Sequence, residues 1–155
     1  ISISSLIHCA GLSPISDYGS MTSTEMVDTF QVNTFAFAKM CQAIFRYQNR
    51  AEVVHIIAIT SVAAERASSR QAIYASSKAA LNSFLLATSQ EGIKHGVRVN
   101  ALSLGAVDTP MLKGMNTSDS FKSNMERHYP LGIMKPETIA AIVKTIMGDA
   151  FNNMT

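Results

Sequence analysis

Three side chains capable of acid–base chemistry stand close together between residues 56 and 78. Ser61 follows a short apolar run rich in β-branched residues, which predicts a buried strand that carries this serine to the carboxyl edge of a sheet. Tyr74 comes thirteen positions later and Lys78 four positions after that, so on a helix both would project from one face. The spacing predicts that a hydroxyl, a phenol and an ammonium group meet in one crevice.

These groups suit proton transfer at a carbonyl or alcohol oxygen. A phenol can give and take back a proton near neutral pH once a cation stabilises its anion, so Tyr74 is the candidate general acid/base and Lys78 the cation. Ser61 would hold the substrate oxygen in line. A surface pair of Tyr74 and Lys78 is the plainer alternative. A serine hydrolase built on Ser61 is disfavoured, because a Gly-x-Ser-x-Gly turn is absent from the sequence.

The sequence around these residues resembles that of the short-chain dehydrogenases/reductases. TSVAA before the connecting loop and YASSKAALNSF after it are similar to that family's usual sequence. The resemblance implies an oxidoreductase that transfers a hydride between NAD or NADP and a carbonyl or secondary alcohol. The substrate would be a small molecule, such as a 3-oxoacyl compound or another ketone. A homo-oligomer, dimer or tetramer, is implied as well.

Asn33 completes the candidate catalytic set of Asn33, Ser61, Tyr74 and Lys78. It is an uncharged amide within an otherwise apolar helical stripe, where an unpartnered polar group costs about 1 to 3 kcal/mol. By resemblance, the Val32–Asn33 pair holds a water molecule that links the lysine to solvent. The alternative is that Asn33 bonds a neighbouring carbonyl.

The resemblance also assigns residues to the cofactor. Ala10 and Gly11 match a family turn at which small residues let a ribose approach the backbone. Gly105, Val107 and Thr109 match a segment that holds the nicotinamide carboxamide. Tyr74 and Lys78 would contact the cofactor too, with the lysine bonding the nicotinamide ribose hydroxyls.

Three departures from the family pattern support a different class of function. His8 and Cys9 stand where the family has two asparagines, although His8 could supply one of their hydrogen bonds. Leu104 replaces a proline. The alternative is therefore a non-catalytic binding or assembly module with this fold, or an inactive fragment. A titration with NADH and NADPH distinguishes these possibilities from an enzyme.

Bulk properties exclude several other classes. The 155 residues are 47% hydrophobic and 15% charged, which predicts one compact domain spanning residues 1–155. A net charge of +2 without basic clusters argues against nucleic-acid binding. Cys9 and Cys41 lack metal-site spacing and are expected to be buried free thiols. Without an apolar run long enough for a bilayer or a signal-like start, the expected location is cytoplasmic.

Alternation of strands and helices predicts an α/β fold with a parallel sheet. The strands are expected at residues 1–10, 53–59 and 97–102, and the resemblance makes this a three-layer αβα Rossmann-type domain. The family's glycine-rich turn, its first strands and its last strand have no counterpart here, so the fold is expected to be incomplete.

The sequence also predicts the bounds of the helices, including those that carry Asn33 and Tyr74. Ser23 or Thr24 is the expected cap of a continuous helix whose apolar face is Met26, Val27, Phe30, Asn33, Phe37, Met40, Cys41 and Ile44. Residues 46–52 are expected to form a polar turn. The Tyr74 helix should end between residues 91 and 94, and a last helix should span about residues 136–147. Residues 111–128 lack a strict period, and the family uses this region as a mobile lid.

Overall fold

A computed structural model describes residues 3–48, 52–114, 119–130, 132–148 and 151. Within them, strands and helices alternate along the chain. The strands are β1 (Ser5–His8), β2 (Val54–Ser61) and β3 (Val97–Leu104). The helices are α1 (Ser23–Phe30), α2 (Ala36–Tyr47), α3 (Ala72–Gly92), α4 (Pro110–Lys113), α5 (Asp119–His128) and α6 (Pro136–Ile146).

The three strands form one parallel sheet in the order β1-β2-β3. Ile56 of β2 lies opposite Leu6 of β1 and Val99 of β3, and Ser61 lies opposite Leu104. All strands therefore end at one edge of the sheet, with β2 and β3 extending beyond β1. This arrangement, with helices beside the sheet, confirms the predicted α/β class and places Ser61 at the predicted edge.

A core between the sheet and helices α2 and α3 holds this edge in place. Alternate residues of β2 point into it, as the two-residue period of a strand requires. Its buried members are Phe37, Cys41, Ile44, Val54, Ile56, Ala58, Leu81, Leu85, Val97 and Val99. Ile57, which points to the opposite face of the sheet, is also fully buried. β2 is therefore covered on both faces, as expected for a central parallel strand.

The cap of the first helix lies one residue before Ser23 and two before Thr24, the two predicted caps. Thr22 is the cap: its hydroxyl accepts a hydrogen bond from the Glu25 N–H, and the Glu25 carboxylate accepts one from the Thr22 N–H at 2.8 Å. This reciprocal pair is a capping box. The prediction of Ser23 or Thr24 was wrong because several adjacent residues could each have capped the helix.

The predicted continuous helix is interrupted by a π-helical segment, Gln31–Phe35. A wider turn places one extra residue in the helix and shifts the faces on either side of it relative to each other. Phe37, Cys41 and Ile44 are buried as predicted, but Val27 is 63% exposed and Met40 is 40% exposed. The single apolar stripe was therefore wrong at these two positions.

Other boundaries differ in smaller ways. β1 is shorter than the predicted strand, and α2 runs on through Arg46 and Tyr47 into the predicted turn. α4 and α5 lie mostly within residues 111–128, which lack a strict period and whose residues 115–118 fall outside the described ranges. α3 and α6 match their predictions closely.

Surface side chains bear on two further predictions. Cys41 is buried as expected, but Cys9 is exposed. Phe35 is half exposed whereas Phe37 is fully buried, and the homo-oligomer stays a prediction. Over the described ranges, every helix is too short or too polar to cross a bilayer.

Candidate active site

A cleft of about 410 Å³ opens at the carboxyl edge of the sheet. It brings together seven of the nine residues predicted for catalysis and cofactor binding. These seven are Gly11, Ser61, Tyr74, Lys78, Gly105, Val107 and Thr109. The other two do not line it: Asn33 is buried behind the cleft, and Ala10 is exposed beside it. Within the part of the chain that the structure describes, no cluster of three potential metal ligands occurs.

Ser61 is the last residue of β2, and its hydroxyl faces the start of the loop that leads to α3. Its Oγ accepts a hydrogen bond from the Ala63 N–H at 3.1 Å. This bond fixes the oxygen and leaves the hydroxyl proton without an acceptor among the described residues. Ser61 can therefore donate to a carbonyl or alcohol oxygen placed in the cleft.

Tyr74 and Lys78 lie one turn apart on α3, as their spacing predicted. The Lys78 Nζ donates a hydrogen bond to the Ile59 carbonyl of β2 at 2.9 Å and lies 5.9 Å from the centre of the Tyr74 ring. The bond to β2 ties α3 to the sheet at the floor of the cleft. The ammonium group therefore lies where it can stabilise negative charge on the phenol.

Lys78 is the most strongly perturbed cation of the cleft. Its side chain is almost completely buried, and this burial lowers its pKa from 10.5 to about 8, against a smaller opposing effect of Cys9. A pKa of about 8 still leaves the ammonium group charged at neutral pH. Lys78 can therefore act as a cation there, at a cost to folding that depends on pH.

We expect Lys78→Met to abolish a gain in stability at alkaline pH. Between about pH 8 and pH 10.5 the unfolded chain holds the Lys78 proton more tightly than the folded protein, so the free energy of unfolding rises with pH. The gain is at most about 1.4 kcal/mol per pH unit, and methionine cannot produce it. Denaturant unfolding at both ends of this window measures it.

The exposed Lys94, in the turn after α3, provides the control for this measurement. Lys94→Met should keep the alkaline gain of the wild type. An equal gain in Lys78→Met and wild type would show that burial does not perturb Lys78.

Asn33 joins three parts of the site through its side chain. Its Oδ1 accepts from the Leu12 N–H at 2.7 Å, and its Nδ2 donates to the Leu12 carbonyl at 2.9 Å and to Ser77 Oγ at 2.8 Å. Ser77 in turn donates to the Tyr74 carbonyl at 2.7 Å. The amide therefore connects the loop after β1 to the turn of α3 that carries Tyr74. The predicted water-holding role of Asn33 stays a prediction.

His8 reaches the main chain of the same residue. Its Nε2 lies 3.3 Å from the Asn33 carbonyl, and since a carbonyl only accepts, the ring donates from Nε2. The ring is buried and stacks on Phe37 with 4.9 Å between centroids. Burial lowers the pKa of His8, the Asn33 bond opposes this, and the charge of Lys78 adds to the lowering. A neutral His8 therefore supplies a hydrogen bond at the place where the family has asparagine.

Two glycines shape the cleft in different ways. A Cβ atom at Gly11 would lie 3.7 Å from Lys78 Nζ and 3.9 Å from Met111 Cε, so it would fill space between them. A Cβ at Gly105 would lie only 2.5 Å from the Tyr129 ring. Gly11 thus leaves room for a ligand beside the lysine, whereas Gly105 lets Tyr129 pack into the cleft wall.

Thr109 caps the short helix α4 at the other side of the cleft. Its Oγ1 accepts from the Leu112 N–H at 3.4 Å and donates to the Val107 carbonyl at 3.3 Å. Both are local bonds, as a capping threonine makes in any loop. They fix the segment that the resemblance assigned to the nicotinamide.

Several residues that line the cleft or lie buried behind it were not predicted from the sequence. Ser77 lies in the Tyr74 motif but carries no signal of its own there, and the buried Thr60 hydroxyl has no partner among the described residues. Arg66 and Gln71 lie on the loop between Ser61 and Tyr74, and Tyr129 comes from the region after α5. Only the position of the loop between two predicted site residues could have indicated Arg66 and Gln71.

Comparison with known proteins gives a consistent set of relatives. A family model described as enoyl-(acyl carrier protein) reductase matches residues 2–155. The chain is 30% identical over 151 residues to acetoacetyl-CoA reductase of Allochromatium vinosum, covering 97% of this chain and 61% of that protein. It is 32% identical over 136 residues to 3-oxoacyl-[acyl-carrier-protein] reductase of Chlamydia muridarum, covering 87% and 54%. The chain therefore spans less than two thirds of these relatives.

Solved structures show the same fold. A 4-hydroxyisoleucine dehydrogenase complexed with NADH superposes with a TM-score of 0.93 at 22% identity, over 100% of this chain and 65% of that one. A 3-ketoacyl-(acyl-carrier-protein) reductase from Brucella melitensis, also complexed with NADH, gives 0.86 at 21% identity, over 99% and 63%. At these identities the likeness establishes the architecture of the sheet and its helices.

Proposed function

Because this chain belongs to the short-chain dehydrogenase/reductase family, we propose that it forms the catalytic part of an NAD(P)-dependent oxidoreductase. The reaction would interconvert a carbonyl compound and its secondary alcohol. The observation that carries this proposal is the convergence of Ser61, Tyr74 and Lys78 on one cleft at the carboxyl edge of the sheet. A module that only binds or assembles has no need of these three groups together.

The cleft also has room for the nicotinamide end of a dinucleotide cofactor. Gly11 leaves open space beside the Lys78 ammonium group, and Val107 and Thr109 line the same cleft. We propose that these residues and Gly105 hold the nicotinamide end. The cofactor, when bound, supplies or accepts the hydride at the substrate carbon. Two similar structures are complexed with NADH, and one relative is a 3-oxoacyl-[acyl-carrier-protein] reductase. Both facts support this proposal, but they do not identify the substrate of this chain.

Side chains of the protein would carry out the proton transfer that accompanies hydride transfer. Tyr74 donates its phenolic proton to the carbonyl oxygen during reduction and takes it back during oxidation. Lys78 stabilises the phenolate that forms, because its ammonium group is held near the ring by the Ile59 carbonyl. Ser61 donates a hydrogen bond to the same substrate oxygen and so orients it toward Tyr74. Asn33 and Ser77 hold the turn of α3 that carries Tyr74.

The test uses the protein as its cell expresses it. Fluorescence titration with NADH and NADPH should show saturable binding of at least one of them, and a panel of ketones should include one whose reduction consumes that dinucleotide. Ser61→Ala should lower turnover by ~10-fold or more through loss of the bond to the substrate oxygen. Absence of both dinucleotide binding and turnover would instead support a non-catalytic module.

A further inference from the structure

The charges around the cleft are unbalanced. Among its lining residues within the described ranges are two cations, Arg66 and Lys78, and no carboxylate. Lys78 is committed to the Ile59 carbonyl and the Tyr74 ring. Arg66 forms no ion pair with any described residue, so its guanidinium charge is uncompensated.

The acidic residues nearest in sequence to the lining residues do not place a carboxylate in the cleft. Asp108 pairs with Lys113 at 3.0 Å, and neither lines the cleft. Glu65 precedes Arg66 but is exposed and also does not line it. Arg66 is exposed to solvent but also lines the cleft, and its guanidinium group can bind a planar anion there through two parallel hydrogen bonds.

The backbone places Arg66 near the reacting groups. Its N–H donates to the Val62 carbonyl at 2.9 Å, which folds the loop back by one helical turn directly after Ser61. Ser68 and Gln71 of the same loop also line the cleft, so this loop offers it a guanidinium, a hydroxyl and an amide. Arg66 thus follows Ser61 closely in the chain and lines the same cleft as Ser61 and Tyr74.

The apolar wall of the cleft has a different character. Leu104, Met111, Leu112 and Tyr129 present mostly apolar surface. A ligand that matches both walls has a short aliphatic body and one anionic end. A phosphopantetheine thioester fits less well, because its phosphate lies at the far end of a long arm and not beside the carbonyl.

Building on the proposed function, we propose that the substrate is a short-chain oxo acid whose own carboxylate is bound by Arg66. Arg66 is then the residue that selects acids over neutral ketones. Tyr74 and Ser61 act on the oxo group, and the apolar wall holds the aliphatic chain.

The test compares 3-oxohexanoate with its methyl ester by calorimetric titration of the intact protein. The wild type should bind the acid ~10- to 100-fold more tightly than the ester, the range expected for a charge-assisted hydrogen bond. Arg66→Gln should lose this preference by weakening acid binding and leaving ester binding unchanged. Arg66→Lys should keep part of it, since lysine retains the charge but not the planar fork.

Arg70→Gln is the matched control, because Arg70 lies on the same loop but pairs with Asp17 at 3.4 Å and does not line the cleft. It should keep the preference for the acid. The proposal is overturned if the wild type binds acid and ester equally. It is also overturned if Arg66→Gln and Arg70→Gln lose the preference for the acid to the same extent. Turnover is read separately: acid-selective binding without turnover supports the Arg66 site and contradicts the oxidoreductase.

Discussion

Tyr74→Phe is expected to lower kcat by ~10²- to 10⁴-fold, the usual contribution of a general acid/base. Phenylalanine keeps the ring that lines the cleft and lies 5.9 Å from the Lys78 ammonium group, but it has no proton to give. Substrate would still bind and the cofactor would still be held, so the dissociation constant for NADH or NADPH should change little. Steady-state kinetics and a fluorescence titration on one preparation measure both quantities.

Tyr47→Phe is the control for this comparison. Tyr47 is an exposed tyrosine at the end of α2, away from the cleft, and its hydroxyl should not matter to turnover. If Tyr74→Phe keeps more than about a tenth of wild-type kcat, the loss is smaller than the smallest effect expected of a general acid. Tyr74 is then not the proton donor.

Asn33→Leu is expected to destabilise the fold by about 3 to 5 kcal/mol. Leucine has a similar size but leaves the part-buried N–H and C=O of Leu12 without their partner, and it removes the donor to the buried Ser77 hydroxyl, which keeps its own bond to the Tyr74 carbonyl. Each unsatisfied buried group costs about 1 to 3 kcal/mol. Denaturant unfolding curves provide the free energies.

Asn82→Leu makes the same chemical change where it should do no harm. Asn82 lies on α3, and its buried Oδ1 has no partner among the described residues, so removing the amide should be neutral or stabilising. A cost below about 1 kcal/mol for Asn33→Leu would mean that water replaces the lost bonds and that Asn33 does not brace the site.

Local patterns were sufficient to predict much of this architecture. The β-branched run at residues 56–59 indicated a buried strand, and the alternation of strands with helices indicated a parallel sheet. The spacing of Tyr74 and Lys78 placed them on one face of a helix, and the end of β2 placed Ser61 beside them. Each of these inferences uses neighbours within a few residues in the sequence.

Contacts between distant segments could not be predicted in this way. The bond from His8 to the Asn33 carbonyl joins residues 25 positions apart, and the one from Asn33 to Ser77 spans 44. The uncompensated charge of Arg66 depends on which other side chains surround one cleft. Such features follow from how the sheet brings separate loops together, and no local periodicity in the sequence predicts them.

The π-helical segment at Gln31–Phe35 has a consequence for how this chain can vary. An α-helix advances about 100° per residue, so the extra residue sets the rotational phase of everything that follows. Deleting one residue there would restore regular hydrogen bonds locally, yet would turn Phe37, Cys41 and Ile44 away from the interior. Insertions and deletions in this segment should therefore be far less tolerated than substitutions at its exposed positions, such as Gln31.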